Sequence, residues 1–244
     1  MYMKHLDITI DLETCSLSSH AAILQIAAVA WDRFAMDAEH IFLGTATKPD
    51  ETPHFCEAID INSQFVEGLW DFSQSTAEWW RKQTTEAKKA VLGNTSGMPL
   101  DTSLRCLDAW VNKTMEQWDC KSVTFWTQGT DFDIPILRYS AERCGLDRTC
   151  KPIATHHKYY RDCRTAIYEL TSLYLQHIMP SDDDTHNDLL TDPLMAYRVL
   201  PELPESFGGK DNAHGALYDA VRSSWFTWQA MRHVRDLSTD KQKK

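Results

Sequence analysis

The chain has 244 residues, of which 43% are hydrophobic and 25% are charged, and its formal net charge is −10 at pH 7. This mixture excludes a disordered chain and is sufficient for one large α/β domain with a core of its own. The acidic balance argues against binding to nucleic acid by positive charge alone, although a carboxylate site that binds cations would account for part of it.

No apolar run approaches the roughly 20 residues that a membrane span requires. The first residues, Met1–His5, lack the apolar stretch and the cleavage site of a signal peptide. We therefore expect a cytoplasmic protein without a membrane partner. Its seven cysteines include no Cys-x-x-Cys pair, so reduced and mostly buried thiols are expected.

The predicted elements begin with three strands. Leu6–Leu12 alternates apolar and polar residues, Ile23–Trp31 has the composition of a more buried strand, and His40–Thr47 is the third. Their close spacing along the chain predicts an antiparallel beginning of the sheet.

Helices dominate the remainder, interrupted by one strand at Ser122–Trp126. The predicted helices are Ser75–Leu92, Leu100–Trp118, Phe132–Cys144, Asp162–Tyr174 and Gly215–Val234. This order favours an α/β fold with a mixed sheet flanked by helices. We expect one domain over residues 1–236 with a long, partly mobile insertion at about 180–209, followed by a disordered tail at 237–244.

Two carboxylates, Asp11 and Glu13, end the first predicted strand. Residues two apart on a strand share a face, so these side chains lie next to each other. Adjacent carboxylates repel unless a cation binds, and their oxygens suit Mg²⁺ or Mn²⁺. Asp7 shares the face but lies about 13 Å away at the rise of a strand. We interpret Asp7 as solvated or ion-paired.

Two further acidic positions follow the middle strand. Asp131 and Asp133 stand between the turn at Gln128–Thr130 and Pro135, which is well placed in the first turn of a helix. One of the two is expected to cap the helix and the other to point into a cleft at the strand ends. The spacing does not decide which residue takes which role.

His214 and Asp219 open the last predicted helix. Inside one helix, residues five apart would point about 140° away from each other. They converge more easily if His214 lies on the preceding loop and Asp219 lies on the second turn of the helix. Asn212 and Gly215 are compatible with that loop.

These residues together resemble a known family, the DEDDh 3′→5′ exonucleases. The motifs Asp-x-Glu-Thr, Phe-Asp and His-x₄-Asp occur in the order of that family. Finer similarity to the phage-type oligonucleotide exonucleases and to the mycobacterial-type exoribonuclease-like domain lies in other segments. These segments are Ala22–Ala30, Glu78–Trp80, Phe132–Arg138 and Arg161–Thr165.

The resemblance implies a ribonuclease H-like fold with a five-stranded mixed sheet and hydrolysis of single-stranded nucleic acid from its 3′ end. It implies two Mg²⁺ or Mn²⁺ ions and His214 as the general base. The implied ligands are Asp11, Glu13, Asp133 and Asp219. The family pattern makes Asp131 the helix cap. Related exonucleases are often dimers, so a homodimer is a further implication of the analogy.

Several residues are candidates for contacts with the substrate. Thr14 and Leu17 follow the first carboxylate pair, and an apolar wedge such as Leu17 would stack on the terminal base. Arg138 and Arg164 are candidates for phosphate contacts, although a solvated surface is the simpler explanation of the basic stretch between them. Asp162 is interpreted as a structural residue, pairing with Arg164 or capping a helix. The neighbouring His156 and His157 are interpreted as loop residues.

Three other interpretations remain. A catalytically silent nucleic-acid-binding module on the same fold would usually have lost one or more carboxylates, and all four are present here. An interaction protein could use the nine tryptophans, but Trp79, Trp80 and Trp110 have spacings that core packing explains. A different metal phosphoesterase would typically have more histidine ligands. The choice between DNA and RNA depends on contacts around the 2′-hydroxyl group, which no short motif encodes.

Overall fold

The computed structural model describes residues 4–42, 54–92, 97–154, 157–178, 194–207 and 214–240. The strands are β1 (Lys4–Thr14), β2 (Ile23–Trp31), β3 (His54–Ala58), β4 (Cys120–Thr127) and β5 (Tyr160–Asp162). The helices are α1 (Gln74–Lys82), α2 (Thr85–Leu92), α3 (Leu100–Gln117), α4 (Asp133–Arg143), α5 (Lys151–Ala154), α6 (Cys163–Ile178), α7 (Met195–Val199) and α8 (Ala216–Asp240).

The five strands form one mixed sheet in the order β3-β2-β1-β4-β5. β1 pairs antiparallel with β2, and β2 pairs antiparallel with β3. β4 joins β1 in parallel, and β5 joins β4 in parallel. This arrangement confirms the predicted α/β class, the five-stranded mixed sheet and its antiparallel beginning.

The alternation along β1 separates the two layers of the molecule. Leu6, Ile8, Ile10 and Leu12 belong to a core that includes residues of α3 and α4. Burial of each such side chain contributes roughly 1.5–3 kcal/mol. The polar residues of β1 face the layer of α6 and α8, because successive strand residues point to opposite sides.

The last helix, α8, runs over the polar face of β1 in the opposite direction. Near the start of α8, the N–H of Ala216 donates to Oε1 of Gln25, the residue paired with Glu13 on the neighbouring strand (2.9 Å). Further along α8, the hydroxyl of Ser224 donates to Oγ1 of Thr9 (2.8 Å). Residues between Ala216 and Ser224 therefore lie over the end of β1 that carries the carboxylates.

Asp7 is completely buried, so its interpretation as a solvated residue is wrong and its interpretation as an ion-paired residue is confirmed. Both of its carboxylate oxygens accept hydrogen bonds from Arg33. The indole N–H of Trp126 donates to the same carboxylate (2.7 Å). These donors satisfy a charge that would otherwise be costly to bury.

Two predicted boundaries are wrong. The third strand is β3, whereas His40 ends a short 3-10 turn and Phe42 forms only an isolated bridge to Trp31. The remainder of that prediction, residues 43–47, lies outside the described residues. The predicted helix over Ser75–Leu92 is two helices, because the hydroxyl of Thr84 accepts the N–H of Ala87 and starts α2 anew.

The described part of the predicted insertion packs against the core. Ala196 and Leu200 are buried in the cluster that also contains residues of α6 and α8. The other residues of that prediction, 180–193 and 208–209, lie outside the described residues. Helix α8 continues to Asp240 and so passes the predicted end at Val234, and residues 241–244 lie outside the described part of the chain.

Candidate active site

The end of β1 that carries Asp11 and Glu13 extends beyond the neighbouring strand β4. The parallel pairing of these strands ends with Thr9 opposite Trp126, two residues before Asp11. Asp133, the first residue of α4, occupies the open edge, where its Oδ1 accepts the backbone N–H of Leu12 (3.2 Å). This bond satisfies a strand N–H that β4 does not reach, and it holds the Asp133 carboxylate beside Asp11.

Asp219 completes the site from the side of α8. It lies in the first turn of that helix, one turn earlier than predicted, because the helix begins at Ala216. Carboxylate oxygens of Asp11, Glu13 and Asp219 all lie within 4.8 Å of one another. Among the described residues, these three form the tightest group of side chains able to ligate a metal ion, and the buried Asp133 borders it.

The electrostatics of the four carboxylates reflect their crowding. Burial raises the pKa of Asp11 well above its ordinary value, and the neighbouring Asp133, Asp219 and Glu13 raise it further. Burial and the charges of Asp219 and Asp133 raise the pKa of Glu13 to about 9. Burial raises the pKa of Asp133 to about 7 and also raises that of Asp219. Four acids in this state favour a bound positive charge.

This donor set fits a divalent metal ion. All the candidate ligands offer carboxylate oxygens, which Mg²⁺ and Mn²⁺ prefer over nitrogen and sulfur. Either bound protons or bound cations relieve the mutual repulsion of these acids. Near neutral pH a divalent cation competes well with protons for the carboxylate oxygens. The residues could therefore hold the metal that the sequence predicts.

His214 lies just before α8, as predicted, in an unusual backbone conformation. Its φ of 65° is in the left-handed region, which is rare for residues other than glycine. The conformation lets its N–H donate to Oδ2 of Asp219 (3.2 Å), five residues further on. His214 is exposed, so its ring can reach a molecule bound at the carboxylates.

Trp79 is a site residue that the sequence interpretation missed. Its indole meets the ring of His214 edge to face, with 5.0 Å between the centroids. Trp79 is 41% exposed, so the expectation that it packs in the core is wrong. Its neighbour Trp80 is buried as expected and donates its indole N–H to the carbonyl of Thr14 (3.2 Å). Adjacent residues on a helix point in different directions, so Trp79 and Trp80 could not both face the core. That geometry was the sequence signal that one of them lies outside it.

Gln25 is a second missed residue, with a positioning role. Its Oε1 accepts the N–H of Ala216, and its amide donates to the carbonyl of Ala90 (3.4 Å). Gln25 therefore connects the strand next to Glu13 with the start of the helix that carries Asp219. A polar residue inside the apolar run Ile23–Trp31 was the available sequence signal.

Two predicted substrate contacts, Thr14 and Leu17, lie at the end of β1 and in the loop that follows it. The hydroxyl of Thr14 donates to the carbonyl of Ser16 (2.7 Å), and Thr14 is buried. Leu17 is 80% exposed, which is uncommon for a leucine in a well-packed loop. The structure thus gives Thr14 a loop-shaping bond and leaves Leu17 available to a ligand.

The two predicted phosphate-binding arginines lie in different cavities. Arg164 lies in the first turn of α6, close to the carboxylates. Its positive charge lowers the pKa of Asp11 and Asp133 and so opposes part of the rise that burial causes. Arg138 is exposed and lies over the ring of Tyr160, 5.2 Å from its centroid, in a cavity of about 580 Å³. The structure brings Arg164 to the carboxylates and puts Arg138 in a separate cavity.

The remaining acidic residues have structural roles that differ in part from prediction. Asp162 caps α6, because its Oδ1 accepts the N–H of Thr165 (2.7 Å), and its Oδ2 accepts the N–H of Thr130 (3.1 Å). Asp131 is not a helix cap: the residue before α4 is Phe132, and no side chain caps that helix. Instead, the hydrogen bond from the N–H of Leu12 to the side chain of Asp133 holds the first residue of α4 in place. His157 lies in a short 3-10 turn, and His156 lies outside the described residues.

The cysteines in the structure are all free thiols. Only Cys150 and Cys163 are buried and the other five are half-buried, so the expectation of mostly buried thiols is wrong. In the ranges that the structure describes, no helix combines the length and the apolar character that crossing a membrane requires.

Comparison with known proteins gives both family and fold. Residues 6–192 match the family described as the 3′-5′ exoribonuclease Rv2179c-like domain, a stretch that includes Asp11, Glu13 and Asp133 and ends before His214. The exodeoxyribonuclease of Enterobacteria phage T4 is 26% identical over 140 residues, which are 54% of this chain and 53% of the phage protein. The chain thus spans about half the length of this curated relative.

Two solved structures share the fold at 12% sequence identity. The crystal structure of cell-death related nuclease 4 (CRN-4) has a TM-score of 0.52, over 96% of this chain and 66% of that one. The nuclease domain of 3′hExo, a DEDDh family member bound to rAMP, also has a TM-score of 0.52, over 95% of this chain and 92% of that one. The family match extends over well more than half of the sequence, and it confirms the resemblance drawn from the motifs. The chain belongs to the 3′-5′ exoribonuclease Rv2179c-like domain family.

Proposed function

We propose that this protein is a metal-dependent 3′→5′ exonuclease that releases nucleoside 5′-monophosphates from single-stranded nucleic acid. The observation that supports this most is the meeting of Asp11, Glu13 and Asp219 within 4.8 Å, on two elements far apart in sequence. Asp133 borders the group and His214 is bonded to Asp219. The description of the family to which the chain belongs names the same class of reaction.

Asp11, Glu13, Asp133 and Asp219 would hold two divalent cations. Asp11 is the most central of the four acids, since the other three carboxylates all raise its pKa. When bound, Mg²⁺ or Mn²⁺ would supply the positive charge that acidifies a water molecule and stabilises the leaving 3′-oxygen. The carboxylates would hold that charge at the end of β1, where the 3′ end of the nucleic-acid substrate would bind.

His214 would act as the general base. A neutral imidazole accepts the proton of the attacking water and later returns it to solvent, and an exposed ring exchanges that proton easily. Trp79 restricts the ring from one side, and the N–H bond to Asp219 fixes the backbone below it. The imidazole is therefore held near the carboxylates without being buried.

The terminal nucleotide would be held by apolar and cationic groups around the carboxylates. Leu17 is the candidate wedge against the last base, and Trp79 adds an aromatic surface on the side of His214. Stacking of a base on an aromatic ring contributes roughly 1–3 kcal/mol without dependence on base identity. Arg164 would contact the phosphate, since a guanidinium pairs well with phosphate oxygens.

The second candidate is a module of the same fold that binds nucleic acid without cleaving it. In that case the carboxylates would have no chemical role, and their repulsion would only destabilise the fold. The presence of all four acids together with His214 favours the enzyme.

Degradation of labelled oligonucleotides tests the proposal. Single-stranded DNA and RNA labelled at the 5′ end would be incubated with Mg²⁺, with Mn²⁺ and with EDTA, using wild type and Asp11→Asn. We expect a ladder that shortens from the 3′ end and disappears with EDTA and in the variant. Both sugars are included because the family is described by its exoribonuclease and the phage relative by its exodeoxyribonuclease activity. Intact strands with every metal would contradict the proposal, and retained binding would then favour the silent module.

A further inference from the structure

A second cavity, of about 560 Å³, opens next to the carboxylates, and three arginines line it. We call it the arginine cavity; its polar lining consists of Gln128, Arg164, Tyr197, Arg198, Glu202 and Arg222. Three guanidinium groups face one carboxylate there, although the whole chain carries a net charge of −10. A local reversal of charge of this kind attracts an anion.

The arginine cavity borders the candidate active site on two sides. Arg222 follows Asp219 by three residues on α8, which is about 4.5 Å along the helix axis. Burial raises the pKa of Asp219, and the nearby Arg222 counteracts that effect. Arg164 acts in the same way on Asp11 and Asp133. Two of the arginines that line the cavity, Arg164 and Arg222, are therefore near neighbours of the carboxylates.

Among the described residues, the arginines of this cavity have no carboxylate partner, and the guanidinium of Arg198 donates to Sδ of Met195 (3.2 Å). Within the described ranges, no carboxylate oxygen lies within 4.0 Å of a guanidinium nitrogen of Arg164, Arg198 or Arg222. Arg222 packs over the rings of Tyr197 and Phe226, with distances of 5.2 and 4.9 Å to the centroids. Such stacking orients a guanidinium group by its face and leaves its N–H edge free to donate.

The wall of the cavity is held in place by the segment around α7. The amide of Gln128 donates to the hydroxyl of Tyr197 (3.4 Å), and the ring of Tyr197 packs against Phe226 of α8. Tyr197 and Arg198 lie beyond residue 192, where the family match ends. The cavity therefore combines a matched part of the chain with a segment outside the match.

We propose that the arginine cavity binds backbone phosphates of the substrate strand on the 5′ side of the cleaved bond. The inference rests on the proposed function and adds to it a preference for strands of more than one nucleotide. Arginine suits this ligand because its planar N–H fork matches phosphate oxygens. A free mononucleotide offers the same phosphate chemistry. The strand is favoured because Arg164 and Arg222 line the cavity and also act on the carboxylates that would receive its 3′ end.

Paired substrates test this proposal. One substrate is a series of single-stranded oligonucleotides of increasing length, and the other is the p-nitrophenyl ester of thymidine 5′-monophosphate, which has no upstream nucleotide. The variant is Arg198→Gln, and the matched control is Arg148→Gln, which removes a charge from a side chain that is 93% exposed. We expect the ratio of kcat/KM for the longer oligonucleotides to that for the ester to fall about tenfold in Arg198→Gln, which corresponds to about 1.4 kcal/mol of lost transition-state stabilisation. Arg148→Gln should keep the wild-type ratio.

An unchanged ratio in Arg198→Gln would overturn the proposal, whether both substrates slow equally or neither slows. Competition by thymidine 5′-monophosphate as effective as that by an oligonucleotide, and lost in Arg198→Gln, would also overturn it in favour of a mononucleotide site.

Binding of a fluorescent oligonucleotide in EDTA separates this proposal from the exonuclease proposal. If wild type hydrolyses neither substrate, the exonuclease proposal fails. The cavity proposal still requires weaker binding by Arg198→Gln, with a salt dependence whose slope decreases by roughly 0.7 for one lost phosphate contact. Equal binding by wild type and both variants would contradict it.

Discussion

The backbone N–H of His214 donates to Oδ2 of Asp219 over 3.2 Å, and His214 reaches this position with a φ of 65°. Two residues five apart on one helix would diverge, so the left-handed residue before α8 is what brings them together. The bond joins the residue before the helix start to the first turn of α8. The same contact thus fixes the position of the proposed base relative to Asp219.

Replacement of His214 should separate chemistry from backbone conformation. We expect His214→Asn to lower kcat by about 10²–10⁴-fold, the range attributed to a general base, because the amide cannot take the proton. The melting temperature should remain near that of wild type, since asparagine tolerates positive φ. His214→Ala would lose the same activity and also some stability. Full activity in His214→Asn would contradict the role of His214 as base.

The crowded acids predict how stability depends on pH in the absence of metal. The pKa of Glu13 is raised to about 9 and that of Asp133 to about 7, whereas unfolded carboxyl groups titrate near about 4. The folded protein binds more protons in that window, so its free energy of unfolding falls as pH rises from about 5 to 9. Thermal unfolding in EDTA at several pH values should show this fall, and Mg²⁺ should reduce it.

Glu13→Gln is the matched variant for that experiment. It keeps the shape of the side chain and is neutral without taking up a proton, so the metal-free protein should melt at a higher temperature than wild type near pH 8. Activity should be lost at the same time, because a ligand is missing. A lower melting temperature in Glu13→Gln with EDTA would show that the carboxylate has a stabilising partner other than a cation.

The two neighbouring tryptophans should respond in opposite ways to truncation. Trp80→Ala removes a buried indole and its hydrogen bond to Thr14, so a loss of about 3–5 kcal/mol in unfolding free energy is expected. Trp79→Ala removes a half-exposed ring next to His214 and should cost much less stability while reducing activity. Chemical denaturation and oligonucleotide hydrolysis, measured on both variants, check this contrast. Equal losses of stability would contradict the assignment of Trp79 to the site.

The sequence predicted the fold well where the pattern was local. The alternation in Leu6–Leu12 predicted β1, because a strand that is buried on one face alternates apolar and polar residues. The apolar run Ile23–Trp31 predicted β2, because a strand that is buried on both faces is apolar throughout. β5 was missed because it has only three residues and lies next to β4 at the edge of the described sheet. No periodicity can be detected over so short a segment.

The site was predicted from residue order and motif, whereas its surroundings depend on long-range packing. Asp11 and Glu13 share a face by strand geometry alone, but their meeting with Asp219 requires α8 to cross β1 in a given direction. The bonds of Gln25 to Ala216 and Ala90 join segments that are far apart in the chain. Trp79 was assigned to the core because spacing along α1 does not show which face of that helix meets His214.

Direct measurement of metal binding tests the central claim, that these four carboxylates form a cation site. Isothermal titration of Mn²⁺ into the metal-free protein would be compared between wild type, Asp11→Asn and Arg148→Gln. We expect saturable binding of about two ions per chain in wild type and in Arg148→Gln. In Asp11→Asn, once its cooperative unfolding has been verified, we expect strongly weakened binding. Binding by Asp11→Asn as tight as that by wild type, or no binding by wild type at millimolar Mn²⁺, would contradict the account.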